Sequence, residues 1–112
     1  MKLIYVCSPY RGDTRKAVKK NIRRARNYCR LVVQQGGVPY APHLLFTQFL
    51  NDGNPRHRRL GLSLGQEMME RCDELWVFGK PSSGMGQEIV CAMMSNMPIR
   101  WFDSEGRSIP HE

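Results

Sequence analysis

Residues 74–94 read ELWVFGKPSSGMGQEIVCAMM: an apolar run, a turn rich in glycine and serine, then a second apolar run. The first run is short and continuous rather than alternating, the pattern of a strand covered on both faces. The second, from Met85 to Asn96, places Ile89, Ala92 and Met93 on one face of a helix. A buried strand handing over to a buried helix is half of a parallel β-α-β unit. Ser82 and Ser83 can cap that helix or bond a ligand, and Gly84 and Gly86 let a backbone come close. One acid, Glu88, closes the turn. Its position near a helix start is favoured by the macrodipole for ~0.3–1 kcal/mol, so the spacing by itself assigns it no reaction.

Working outward, the same unit recurs. KLIYVC (2–7) is a buried first strand, and from Asp13 the period changes. Val18, Ile22, Ala25, Cys29 and Val32 then mark a helical stripe, with Asp13 or Thr14 to cap it and QQGG to end it. VPYA (38–41) reads as a second strand and PIRWF (98–102) as a fourth. PHLLFTQFL is a short helix or an ordered loop, NDGNPRHRR a basic turn-rich connection, and Leu62–Cys72 a weakly periodic helix. The tail from Asp103 is peripheral or adds an edge strand. The alternation predicts an α/β, flavodoxin/Rossmann-like domain: a mostly parallel sheet of four or five strands with helices on both faces. Right-handed crossovers put strand 1 centrally, with strand 2 on one side and strands 3 and 4 on the other. Ligands bind where such an order reverses, so the loops CSPYRGDT and GKPSSGMGQE form the expected crevice.

The totals agree with one domain over residues 1–112. Apolar residues make up 41% and charged residues 24%, the balance of a globule with a real core. No apolar run approaches the roughly 18 residues of a membrane span, and the N-terminus lacks the form of a secretory signal. A cytoplasmic protein without membrane partners is expected. Cys7, Cys29, Cys72 and Cys91 form no C-x-x-C pair, and His43, His57 and His111 do not complete a zinc site. All four cysteines stand in apolar contexts and read as buried thiols, with no metal. The net charge of +7 calls for an anionic partner. Nucleic acid on the basic helix 15–30 is possible but not favoured, because no interleaved aromatics or DNA-binding motif accompany it.

In SPYRGDT, Gly12 permits a tight turn, the following helix offers free N–H groups, and Arg11 adds a fork suited to phosphate. A plain strand-to-helix turn fits the same letters. Neither a P-loop nor a dinucleotide fingerprint is present, and no cofactor is expected. His43, in APHLLF, lies at the same sheet edge. Tyr40 and Phe46 stack on a base or fill the core; Trp76 and Trp101 belong to strands.

Three segments together, IYVCSPYRG, ERCDELWVF and PSSGMGQEIVCAMMSNMPI, resemble the nucleoside 2-deoxyribosyltransferase superfamily, which includes deoxynucleoside 5′-monophosphate glycosidases. The resemblance runs from Lys2 to about Ile99. It implies a nucleotide or nucleoside ligand, a homo-oligomer, and cleavage or exchange of an N-glycosidic bond. It makes Glu88 the nucleophile and Tyr5 the residue that orients it. Ser8, Pro9, Tyr10, Arg11 and Gly12 after strand 1, with His43 and the turn Ser82, Ser83, Gly84, Met85 and Gly86, would hold sugar and phosphate. The chain departs from the pattern at one place. Where the family carries the aspartic acid that protonates the departing base, this sequence has Gly65, with Glu67 nearby as a substitute if the helix register allows. A nucleotide-binding protein without catalysis, a sensor or a sequestering protein, fits that departure.

Overall fold

A computed structural model describes residues 1–51 and 53–110; Asp52, His111 and Glu112 lie outside them. His111, counted above against a zinc site, is therefore not described. Strands β1 (Leu3–Cys7), β2 (Val38–Tyr40), β3 (Glu74–Phe78) and β4 (Ile99–Phe102) form one sheet in the order β2-β1-β3-β4. Every pairing is parallel, with Tyr5 opposite Tyr40 on one side and Leu75 on the other. This is the expected α/β architecture, with the order reversing between β1 and β3.

Helix α1 (Arg15–Gln34) covers one face of the sheet and α3 (Pro55–Met69) and α4 (Ser83–Met94) the other. Alternation along the strands divides the core accordingly. Ile4, Val6, Trp76, Phe78 and Phe102 meet Tyr28 and Val32 of α1. Tyr5, Cys7, Leu75 and Val77 meet Met69, Met85, Ile89 and Ala92 on the opposite side. Phe78 is stacked at 4.2 Å on Tyr28 and at 4.7 Å on Phe102. The α1 stripe is thus centred on Ala25, Tyr28 and Val32, while Val18 and Ile22 are only half-buried.

Several boundaries depart from the expectations. Helix α3 starts at Pro55, not at Leu62, because Asn54 caps it: its Oδ1 accepts from the backbone N–H groups of Arg56 and His57. Proline at the first helical position loses no hydrogen bond there. PHLLFTQFL resolves into a short helix α2 (Pro42–Leu45) followed by a 3₁₀ turn, Phe46–Gln48. Helix α4 begins at Ser83 with Ser82 as its cap, so the serine–glycine stretch is largely the first turn of the helix rather than a loop. The tail bends back at Gly106 and makes one antiparallel bridge, Phe102 with Ser108, not a strand. Cys7 and Cys72 are buried, but Cys29 is half-buried and Cys91 exposed, since Cys91 falls on the outer face of α4. Among the described residues no helix is long and apolar enough to cross a membrane.

Candidate functional site

On β1, Tyr5 and Cys7 are two residues apart, so both side chains point to the face that α4 covers. In α4, Met85, Ile89 and Ala92 form the buried stripe, and Glu88 lies at its edge, above β1. The result is a carboxylate held at both oxygens. The Tyr5 hydroxyl donates a short hydrogen bond to Glu88 Oε2. The Cys7 thiol approaches Oε1 at 3.6 Å, with the Met85 carbonyl as a second acceptor at 4.0 Å.

Burial decides the electrostatics here. It raises the Glu88 carboxyl above its ordinary value, and the hydrogen bonds from Tyr5 and Cys7 oppose that rise. Burial, then the charge of Glu88, pushes the Tyr5 hydroxyl and the Cys7 thiol upward, so both stay protonated donors. Glu88 is the sixth residue of α4, beyond the first turn in which the macrodipole acts. The capping account of this acid therefore fails: a half-buried carboxylate set against desolvation is not a helix-stabilising device.

Around this pair the floor is aromatic. Tyr5 meets the edge of Tyr40 at 5.6 Å, Tyr40 meets Phe46 at 6.2 Å, and Phe46 meets the exposed Phe49 at 5.9 Å. The Tyr40 hydroxyl is buried without a hydrogen-bond partner among the described residues. Burial raises it to about 12, helped by the nearby Cys72 and Glu88. Helix α3 passes over the same place: a Cβ added to the buried Gly65 would sit 3.4 Å from the Tyr5 hydroxyl. The position where the resemblance expects an acid does face Glu88's partner, and it carries no side chain.

The loop after β1 forms the rim. Ser8 is buried, and Pro9 and Tyr10 are half-buried. Tyr10 stacks on His43 of α2 at 4.9 Å and 18°. Asn21 of α1 donates to the carbonyls of Tyr10 and Arg11, fixing the loop from behind. Arg11 and Gly12 are exposed. A methyl on Gly12 would meet Ala17 Cβ at 2.5 Å, so glycine is needed for the loop to pass α1. Across the crevice, the Ser82 hydroxyl oxygen accepts from Met85 N–H at 3.3 Å. Ser83 and Gly84 are exposed and Gly86 half-buried, while Met85 points into the core. Space beside both glycines is open: a Cβ at either would meet nothing within 4 Å.

The structure thus brings Tyr5 and Glu88 into contact and sets Tyr10 on His43. It turns the Met85 side chain away and leaves its carbonyl inside. Cys7, Asn21 and the Tyr40 hydroxyl were not anticipated as parts of the site. For Cys7 the signal was available, since strand periodicity places it on the face of Tyr5. A separate groove of about 310 Å³, lined by Pro9, Asn21, Arg24, Tyr28, Lys80 and Ser104 among others, lies on the α1 side of the sheet, away from Glu88.

The 2-deoxyribosyltransferase of the psychrotolerant bacterium Bacillus psychrosaccharolyticus has a similar structure, with a TM-score of 0.69 at 17% identity. The match covers 96% of this chain and 77% of that one. At that identity the likeness is one of fold. No curated protein sequence matches the chain. A family described only as a domain of unknown function, DUF7768, matches residues 2–102, and the chain belongs to that family.

Proposed function

We propose that this protein binds a nucleoside or nucleotide above Tyr5 and cleaves or exchanges its N-glycosidic bond, with Glu88 as nucleophile. One observation carries the reading: a shielded carboxylate, hydrogen-bonded by Tyr5, at the β1–β3 switch of a fold shared with a 2-deoxyribosyltransferase. A carboxylate raised by burial is a stronger base and nucleophile when ionised than a solvated one. Glu88 attacks the anomeric carbon through an oxocarbenium-like transition state and forms a sugar ester, which water or a second base resolves. Tyr5 is a positioning residue: it holds Oε2 and fixes the plane of the carboxylate. The rim Ser8–Gly12, His43 and the first turn of α4 hold the sugar and any 5′-phosphate.

Two features support a ligand there. Each glycine in a helix costs about 0.5–1 kcal/mol relative to alanine, yet Gly84 and Gly86 face open space. Gly86→Ala is expected to raise the melting temperature while weakening nucleotide binding, read by calorimetry on the same sample. The orphaned Tyr40 hydroxyl is the second. An unsatisfied buried donor costs about 1–3 kcal/mol, which a ligand oxygen would remove. Tyr40→Phe should therefore leave the free protein as stable or more so, yet reduce the thermal shift produced by ligand. A variant less stable without ligand and normal with it would show that the hydroxyl serves the fold.

The direct test is incubation with nucleosides, deoxynucleosides, their 5′-monophosphates and NAD, followed by chromatography for free base. Gly65 favours a second reading, binding without turnover. Ligand-induced stabilisation with no base released from any compound establishes that reading and removes the enzyme.

A further inference from the structure

Among the described residues, the groups that hydrogen-bond Glu88 hold protons but have none to give. The Tyr5 hydroxyl is committed to Oε2 and the Cys7 thiol faces Oε1 or the Met85 carbonyl. Helix α3 presents Gly65 toward the Tyr5 hydroxyl. Among the described residues, Tyr5 and Cys7 hydrogen-bond Glu88 and Tyr40 lies close enough to feel its charge. His43 stands at the rim, stacked on Tyr10, and Glu67 of α3 is exposed and paired with Arg71. The Tyr40 hydroxyl, raised to about 12, is a hydrogen-bond donor rather than a proton source at neutral pH.

A neutral purine or pyrimidine leaves as an anion unless it is protonated, and a positioned acid is worth roughly 10²–10⁴-fold in such a step. A base that is already cationic has no such need. Resting on the glycosidase reading above, we infer that the substrates are cationic N-glycosides, a pyridinium or N7-alkylpurine riboside or its 5′-phosphate. Glu88 attacks C1′, the C1′–N bond breaks, and its electron pair neutralises the ring nitrogen. The base departs neutral. Water then displaces Glu88 from C1′, its second proton passes to solvent, and the carboxylate is restored. The same carboxylate is the counter-ion for the bound cation, so a single acid both recruits and attacks. The aromatic floor of Tyr40 and Phe46 suits a flat cation as well.

The test compares matched pairs on the intact protein: 7-methylguanosine with guanosine, and nicotinamide riboside with uridine. Each is used in ribo and 2′-deoxy form and as its 5′-monophosphate. Because cationic glycosides are intrinsically more labile, each kcat/KM is divided by the spontaneous rate. The expected result is a normalised ratio at parity or in favour of the cationic member, whereas a site that supplied an acid would favour the neutral member by roughly 10²–10⁴-fold. The pH profile for nicotinamide riboside, whose charge is fixed, should rise once, through Glu88, and stay level above. Gly65→Asp should raise cleavage of the neutral members and give them a descending alkaline limb; Gly65→Asn, with no proton to lend, should not. A normalised preference for the neutral members by the unaltered protein overturns the inference and leaves the glycosidase reading standing. Cleavage of neither class overturns both.

Discussion

Glu88→Gln is expected to lower base release by roughly 10³-fold or more, the scale of losing a covalent nucleophile, while making the protein more stable near neutral pH. Glutamine keeps the size of the side chain and can still accept from Tyr5, but it cannot attack or carry the charge that burial opposes. The sign of the stability effect follows from linkage. The folded carboxyl is raised above its ordinary value of 4.5, so the native state binds a proton more tightly than the unfolded chain does. The stability gained that way is complete below about 4.5 and is lost as pH rises through the folded value. Melting curves of the two proteins should therefore run close together at low pH and separate above it, with Glu88→Gln the more stable. An activity loss with no pH-dependent gap in melting temperature would mean that Glu88 is not desolvated in solution. Retained activity would remove it as nucleophile whatever the melting curves show.

How far this site could be seen in the letters differs from residue to residue. The units β1-α1-β2 and β3-α4-β4 were legible because their strands are continuous apolar runs and their connections have helical period. The sheet order followed from crossover handedness. The start of α3 was hidden because its first turns, PRHRR, lie on the surface and carry no apolar stripe. Only Asn54–Pro55, a cap followed by a first-turn proline, marked it. The nature of Glu88 could not be read from spacing at all. A glutamate a few residues into a helix is stabilised by the dipole in one register and buried against a strand in another. One or two residues in the helix start decide between them, and such boundaries are the weakest part of any sequence reading. Desolvation is likewise a property of α4 lying on β1, which local sequence does not encode. Gly65 is the reverse case: its absence of a side chain was visible at once, but its direction toward Tyr5 needed the packing of α3.

Tyr5→Phe separates positioning from mere packing. The ring stays, with its edge contact to Tyr40 and its place in the core; only the hydroxyl that serves Oε2 is lost. A hydrogen bond to a charged group is worth about 1.5–3 kcal/mol. Glu88, left with Cys7 alone against burial, should rise further. Activity requires the ionised carboxylate, so the acidic limb of kcat/KM should move to higher pH. At neutral pH the loss combines this titration with a misdirected carboxylate, roughly 10²-fold together. Raising the pH should recover the titration part and leave the orientation part. A purely structural tyrosine would predict something different: a lower melting temperature with the limb unmoved, and no recovery in alkali. A limb that stays in place while activity falls would assign Tyr5 to the core and leave the ionisation of Glu88 to Cys7 and the depth of the crevice.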